Sequence, residues 1–328
     1  MKEKDIRPAN LMLKYAELSA KDAKFFFKGG ERSSLLCIGC NSQNTSFQFN
    51  KNTFDYVLCD ECGSLFQSPR PKIEAFEAFY KDSESSRYWA EVFFPIVSEA
   101  RREKIFKPRV KRLMSMCDNV NLEVLKLIDV GAGYGVFLDE WRVLNPDTQL
   151  LAIEPSFSLA EDCRKKQLKV VESIVEKVDG YDNYADLVVC FEVLEHVNSP
   201  IEFINVLTKL VRPGGYIFIS TLCIDGFDLQ VLWDKSSQIS PPHHINFHSI
   251  KGFKSLFERA GYTDILIETP GQLDVDIVLN FIKNSPDLLE DNRFIKSLID
   301  EDKAEAFQTF LKENNLSSHA WIMAKKPE

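Results

Sequence analysis

Residues 127–135 read Leu-Ile-Asp-Val-Gly-Ala-Gly-Tyr-Gly, and this stretch restricts the chain more than any other. Two apolar residues, an acid and glycines at alternate positions (Gly131, Gly133, Gly135) describe a buried strand. That strand runs into a turn too tight for side chains and opens into a helix. Glycine reaches φ > 0 and lets backbone amides come close to a ligand. Glu154 closes the next apolar run, residues 150–153. Its carboxylate is expected at the carboxyl end of a neighbouring strand, where it can accept hydrogen bonds from ribose hydroxyls. The two features together describe a nucleoside pocket.

The pattern around that stretch repeats strand and helix. Strands are predicted at 124–130, 149–154, 169–171, 186–190 and 216–220, with helices at 135–145, 157–167, 199–210 and 251–260. Residues 265–268 and 320–324 read as two further strands, and 286–313 as helices. Alternation of this kind gives a parallel sheet with helices on both faces. The expected fold class is α/β: a Rossmann-like, doubly wound sheet with an antiparallel edge strand. Four segments follow: an N-terminal helical segment 1–34, a cysteine-rich ribbon 35–68, a helical linker 69–118, and the sheet domain 119–328 with a loop at 225–250.

Eight cysteines include two tight pairs, Cys37-x-x-Cys40 and Cys59-x-x-Cys62. A C-x-x-C knuckle presents two thiolates to one ion, and two knuckles complete a tetrahedron, so a structural zinc ribbon is expected. Asn41 and Gly63 follow the two knuckles and suit the left-handed backbone such turns need. All four ligands are cysteine, which leaves no open position for chemistry at the metal. Cys117, Cys163, Cys190 and Cys223 read as ordinary buried thiols.

A net charge of −9 and a pI near 5.3 argue against nucleic acid as the main partner. No apolar run approaches the ~18–20 residues of a membrane span. The first five residues carry charges of both signs and lack an apolar signal core. A cytoplasmic protein acting on a small molecule is the expectation; oligomeric state does not follow. Seven cations between Arg101 and Arg112 suggest either a solvated helix face or a grip on a phosphate-bearing acceptor.

Two ligand classes suit the nucleoside pocket, dinucleotides and S-adenosylmethionine. The dinucleotide fingerprint is G-x-G-x-x-G, but here Val136 stands where its third glycine would fall. Asp129 is poorly placed beside a pyrophosphate and well suited to a ligand amino group. With Ile153-Glu154-Pro155, the strand ending C-F-E-V-L-E-H-V and the turn R-P-G-G, residues 110–268 resemble the class I S-adenosylmethionine-dependent methyltransferases. The resemblance implies that Asp129, Gly131 and Gly133 line the methionine portion; Ala132 belongs to the same cofactor turn, and Tyr134 and Phe137 are read as packing on the cofactor or acceptor, against a reading as plain core. It also implies that Glu154 and Pro155 meet the ribose and that Phe191, Glu192 and Val193 flank the cofactor. The ribbon, the linker and the later P-P-H-H-I-N-F-H-S are similar to bacterial sugar C-methyltransferases and glycan-biosynthesis methyltransferases. A sugar-derived or nucleotide-linked acceptor is the implied substrate, with an aromatic or quinone precursor as the alternative, and a non-catalytic cofactor-binding scaffold as the alternative of another class.

A hydroxyl or carbon acceptor must lose a proton, and histidine is the natural base near neutral pH. His243 and His244 lie in the 225–250 loop and are the candidates, left unseparated by the sequence. His196 closes Glu192-Val193-Leu194-Glu195-His196. A comparable E-x-x-E-H run resembles the metal-binding run of quinone-pathway O-methyltransferases, so a divalent ion on Glu192, Glu195 and His196 stands against a plain structural turn.

Overall fold

The computed structural model describes residues 2–285, 293–298 and 301–328. The chain forms two compact units. One comprises Met1–Trp89, Leu222–Phe253 and Ile267–Trp321; the other comprises Ala90–Thr221, Lys254–Leu266 and Ile322–Glu328.

In the first unit, β1 (Arg32–Ser33) pairs with β5 (Arg70–Pro71). Strands β2 (Thr45–Lys51), β3 (Phe54–Cys59) and β4 (Leu65–Gln67) make an antiparallel sheet that β11 (Asn246–Phe247) extends, in the order β11-β4-β3-β2. The alternation of Phe54, Tyr56 and Leu58 has a direct result: Phe54 and Tyr56 are buried on one face of β3. They join Phe27, Phe76, Phe79, Leu229, Ile245 and Phe247 in one core. Ring pairs such as Phe27–Phe54 (centroids 5.0 Å) and Phe27–Phe76 (4.9 Å) add aromatic packing to the buried area.

The sheet of the second unit uses β6 (Lys126–Val130), β7 (Gln149–Ile153), β8 (Lys169–Val171), β9 (Ala185–Phe191), β10 (Val211–Leu222), β12 (Asp264–Glu268) and β13 (His319–Lys325). Its order is β12-β13-β10-β9-β6-β7-β8. Strands β8 through β10 are parallel. Leu127, Ile128, Leu187, Val188 and Val189 are fully buried, as unbroken apolar strands covered on both faces should be. β13 is antiparallel to β10: Gly214 and Gly215 exchange bonds with Lys326, while Cys223 donates to Ser318. The terminal strand lies one position in from the edge, and β12 forms the edge itself.

Two expectations differ from what is found. Segment 69–118 is divided: the helix Ile73–Asp82 belongs to the first unit, and Phe94–Arg101 and Lys107–Asn119 belong to the second. Wide π-turns at Trp89–Phe93 and Arg102–Phe106 interrupt this run. The 225–250 loop belongs with the ribbon in the first unit, where ribbon side chains bind its main-chain carbonyls. Asp274 and Asp276 open the helix Asp274–Asn284. Asp274 is buried and accepts from Ser317 Oγ (2.6 Å), the Ser318 amide (2.6 Å) and Gln308 Nε2 (2.8 Å). The predicted helical range 286–313 is described at Arg293–Ser297 and Glu301–Glu313; its remainder falls outside the described residues.

Candidate active site

The glycine turn grows out of β6. Gly131 and Ala132 donate to the carbonyl of Ile153 at 2.9 and 3.3 Å, which ties the turn to the end of β7. Gly131 has φ +74°, and a Cβ there would lie 2.7 Å from Val193 Cγ2, so both backbone and space require glycine. Gly133, at φ +55°, differs: a Cβ would meet nothing within 4 Å. Its open side is where a ligand can approach the backbone.

Glu154 is buried at 5% exposure and holds this turn directly. Its Oε2 accepts from the Gly133 amide and its Oε1 from the Ser156 amide, both at 2.8 Å. Burial raises its pKa, and the two amides oppose that shift. The acid expected to grip a ribose therefore stands against the glycine turn.

Asp129 ends β6 at 2% exposure. Among the described residues its Oδ1 has no hydrogen-bond partner. Burial, then the charge of Glu154, push its pKa up to about 8, with Arg109 acting against them. An uncompensated buried carboxylate oxygen is costly. A cationic amino group would satisfy it, and a pyrophosphate would repel it. The orphaned oxygen and the open glycine both fit S-adenosylmethionine.

The wall formed by β9 completes the arrangement. Phe191 packs at a tilt against Phe137 (centroids 4.4 Å, 50°), and Phe137 is itself core, packed on Trp141. Glu192 takes φ +55°, a strained value for a residue with a side chain. Its Oε1 accepts from Ser220 Oγ (2.6 Å) and Arg109 Nη2 (3.2 Å). Glu195 is buried, accepts from Thr221 Oγ1 at 2.8 Å, and is pushed up to about 8 by burial and by the charge of Glu192. Tyr134 stacks flat on Phe94 (4.2 Å, 7°) and donates its hydroxyl to the Ala90 carbonyl. Pro155 is exposed, beside an exposed Phe157.

Arg109 is the residue that sequence reasoning missed. It was read within a basic face, yet it is 6% exposed, with its guanidinium 4.6 Å from the Phe191 ring centroid. Arg102 is likewise committed, to Asp139 (2.6 Å) and Glu140. The only signal is spacing: Arg109 has no acid three or four residues away along its helix. His196 donates its amide to Val193 within the turn after β9. Among the described residues, no group of three ligand atoms converging within 4.8 Å includes Glu192. The expected trio of Glu192, Glu195 and His196 does not converge to that distance among the described residues; Glu192 Oε1 instead accepts from Ser220 and Arg109.

The first unit carries the other predicted residues. Sγ atoms of Cys37 and Cys62 are 3.4 Å apart and those of Cys40 and Cys59 are 3.5 Å apart, with all four within 4.8 Å. Four thiolates at about 2.3 Å from one zinc ion would sit roughly 3.8 Å apart, so the cluster has the right size for a tetrahedral ion. Each knuckle is closed by backbone bonds: Asn41 donates to Cys37, and Gly63 to Cys59, both at 2.9 Å. Asn41 (φ +64°) and Gly63 (φ +78°) are left-handed, as their positions required. Cys117, Cys163, Cys190 and Cys223 are buried free thiols.

The two loop histidines separate. His243 is 4% exposed, with Nε2 2.9 Å from Ser85 Oγ and its ring packed on Tyr15 and Phe79. His244 is half-buried, and its Nδ1 lies 2.6 Å from the Gln238 carbonyl. A carbonyl only accepts, so Nδ1 carries the proton, and in a neutral ring Nε2 would then be the basic nitrogen.

A model of the methyltransferase-domain family matches residues 97–267, just over half of the chain. Among curated relatives, the mitochondrial ubiquinone biosynthesis O-methyltransferase of Dictyostelium discoideum is 39% identical over 116 residues, 31% of this chain and 36% of that protein. The ubiquinone biosynthesis O-methyltransferase of Methylococcus capsulatus is 31% identical over 118 residues, 34% and 49% respectively. The tRNA U34 carboxymethyltransferase of Campylobacter fetus is 28% identical over 149 residues, 44% and 52%. The chain thus spans about a third to a half of the length of these relatives. Among solved structures, an S-adenosylmethionine-dependent methyltransferase of Archaeoglobus fulgidus shares 18% identity at a TM-score of 0.47, covering 72% of this chain and all of that one.

Proposed function

We propose, from the premise that this chain belongs to the methyltransferase-domain family and is an S-adenosylmethionine-dependent enzyme, that it methylates a small sugar-derived or nucleotide-linked acceptor with His244 as the base. The state of His244 is the observation that carries this reading: its Nδ1–H is fixed by the Gln238 carbonyl, which orients the basic Nε2. His243, packed among aromatic rings, holds the loop in place.

Asp129 would receive the amino group of the cofactor, and Glu154 the ribose hydroxyls. Gly131 and Gly133 would let the backbone lie against the methionine portion. Bound there, S-adenosylmethionine supplies a methyl group already activated on a sulfonium. The chain must align an acceptor with that group, which provides most of the acceleration. His244 then takes the acceptor proton, typically worth about 10²–10⁴-fold. Cys37, Cys40, Cys59 and Cys62 would hold one structural zinc ion, whose content metal analysis of the purified protein measures directly.

A second reading, O-methylation of a quinone or other aromatic precursor, is favoured by the ubiquinone-pathway relatives. Those matches leave about two thirds of this chain uncovered, so they speak weakly about its acceptor. A screen with radiolabelled methyl donor across sugar nucleotides and catechols decides between them. Label entering a sugar nucleotide supports the first reading, and label entering catechols alone replaces it with the second. Cofactor binding without transfer to any extract fraction would leave a non-catalytic scaffold.

A further inference from the structure

The ribbon's hairpin and the strands around it bind the main chain of the 225–250 loop at one point after another. Lys51 Nζ donates to the carbonyls of Asp234 (2.7 Å) and Ser236 (2.8 Å). Asn52 Nδ2 donates to Pro241 (3.1 Å) and Tyr56 OH to the carbonyl of His244 itself (2.6 Å). The Gln67 amide reaches Ile245 (2.9 Å), and Arg70 Nη2 reaches both Ile245 (3.2 Å) and Asn246 Oδ1 (2.7 Å). None of these bonds reads a loop side chain except the last, so they fix backbone path and leave side chains to other work.

The donors are tied to the cysteine cluster by short lengths of strand. Cys59 ends β3 three residues after Tyr56, and it pairs with Thr45 at the start of β2; Lys51 ends β2. Among the described residues Lys51 makes no ion pair with a carboxylate: burial drives its pKa down to about 8, opposed only by the charge of Asp234. A lysine held at that cost on two carbonyls is a positioning device.

We propose that the ribbon is the template of the acceptor loop, with Lys51 and Tyr56 as positioning residues that set the backbone from which His244 acts. The inference rests on the reading of this loop as the acceptor-bearing one. A ribbon serving as a docking module for another macromolecule would need no such series of bonds to one internal loop.

The test uses the full chain with Lys51→Met, Tyr56→Phe, the conservative Lys51→Arg, and His244→Ala. Amide hydrogen exchange across residues 234–246, zinc content, calorimetry with S-adenosylhomocysteine, and transfer of labelled methyl to a nucleotide-sugar extract are measured on each. Lys51→Met is expected to speed exchange in 234–246 by about tenfold, the loss of one to two hydrogen bonds. Transfer should fall at least as far, while zinc content and S-adenosylhomocysteine affinity stay within twofold. Lys51→Arg should recover most of the transfer, and Tyr56→Phe should act in the same direction more weakly. Unchanged loop exchange in both Lys51→Met and Tyr56→Phe overturns the proposal, as does transfer that falls only in step with cofactor affinity. Failure of the underlying reading appears separately, as undiminished transfer in His244→Ala.

Discussion

Asp129 in the sheet unit and Asp228 in the ribbon unit are alike in burial and, on the proposed reading, opposite in purpose. Each is at most 2% exposed, each has an Oδ1 without a hydrogen-bond partner among the described residues, and each is pushed upward, to about 8 and about 7. Their surroundings differ. Asp228 sits in the helix Phe227–Leu232 with Gln238 Nε2 on its Oδ2 (2.8 Å), and the charge of nearby Asp274 adds to the burial that raises it. Asp274 is already saturated by Ser317, Ser318 and Gln308. Such a site holds a proton as part of its packing. Asp129 faces a backbone with an open side at Gly133 and a buried cation, Arg109. On the proposed reading, that site holds a proton only until a cationic ligand arrives. A raised pKa alone therefore identifies no function; the surroundings decide it.

The largest expected effect tests the packed member of the pair. The unfolded Asp228 ionises near pH 3.9, whereas the folded one keeps its proton to about 7. Stability from this group is full below the unfolded pKa and is lost as pH rises through the folded one. Asp228→Asn keeps a neutral hydrogen-bonding group and should remove that loss. Thermal or denaturant unfolding at pH 5.5 and 8 should show the wild type losing about 2 kcal/mol more stability than the variant. Equal losses in both would mean that Asp228 is charged in the folded protein and that the comparison is wrong.

A smaller effect is expected at Glu154, which holds the open turn. Glutamine retains one acceptor oxygen and must present an NH₂ to one of the two amides, Gly133 or Ser156. Charge-assisted bonds of this kind are worth about 1.5–3 kcal/mol, so Glu154→Gln should weaken S-adenosylhomocysteine roughly 10- to 100-fold. Calorimetry checks it, and an affinity within a factor of three would remove Glu154 from the cofactor site.

What could be read from the sequence follows the same division. The glycine turn and Glu154 are joined by strand pairing between adjacent segments, so period, apolar runs and glycine spacing carried them. The left-handed Asn41 and Gly63 were legible for the same local reason. Arg109 was not: its partners Glu192 and Phe191 lie over eighty residues away, and nothing in a basic helix says which cation turns inward. The grip of Lys51, Asn52 and Tyr56 on the loop spans more than 180 residues and acts through carbonyls, which every residue has. The choice between His243 and His244 depended on Ser85 and Gln238, and no pattern of histidines encodes that.

The smallest effect sharpens the comparison most, because it counts protons. With a pKa of about 8 in the empty site, Asp129 is mostly protonated at pH 7. A cation bound beside its orphaned oxygen favours the charged form and lowers the pKa. Binding of S-adenosylmethionine at pH 7 should therefore release up to about one proton, and its apparent affinity should climb between pH 6 and 8 before levelling off. Calorimetry in buffers of different ionisation enthalpy reads the proton directly. Asp129→Asn should abolish most of the release and flatten the pH dependence, while Asp228→Asn should leave both unchanged. If the two variants behave alike, the sheet-unit acid is only another packing residue, and the distinction drawn from the open glycine fails.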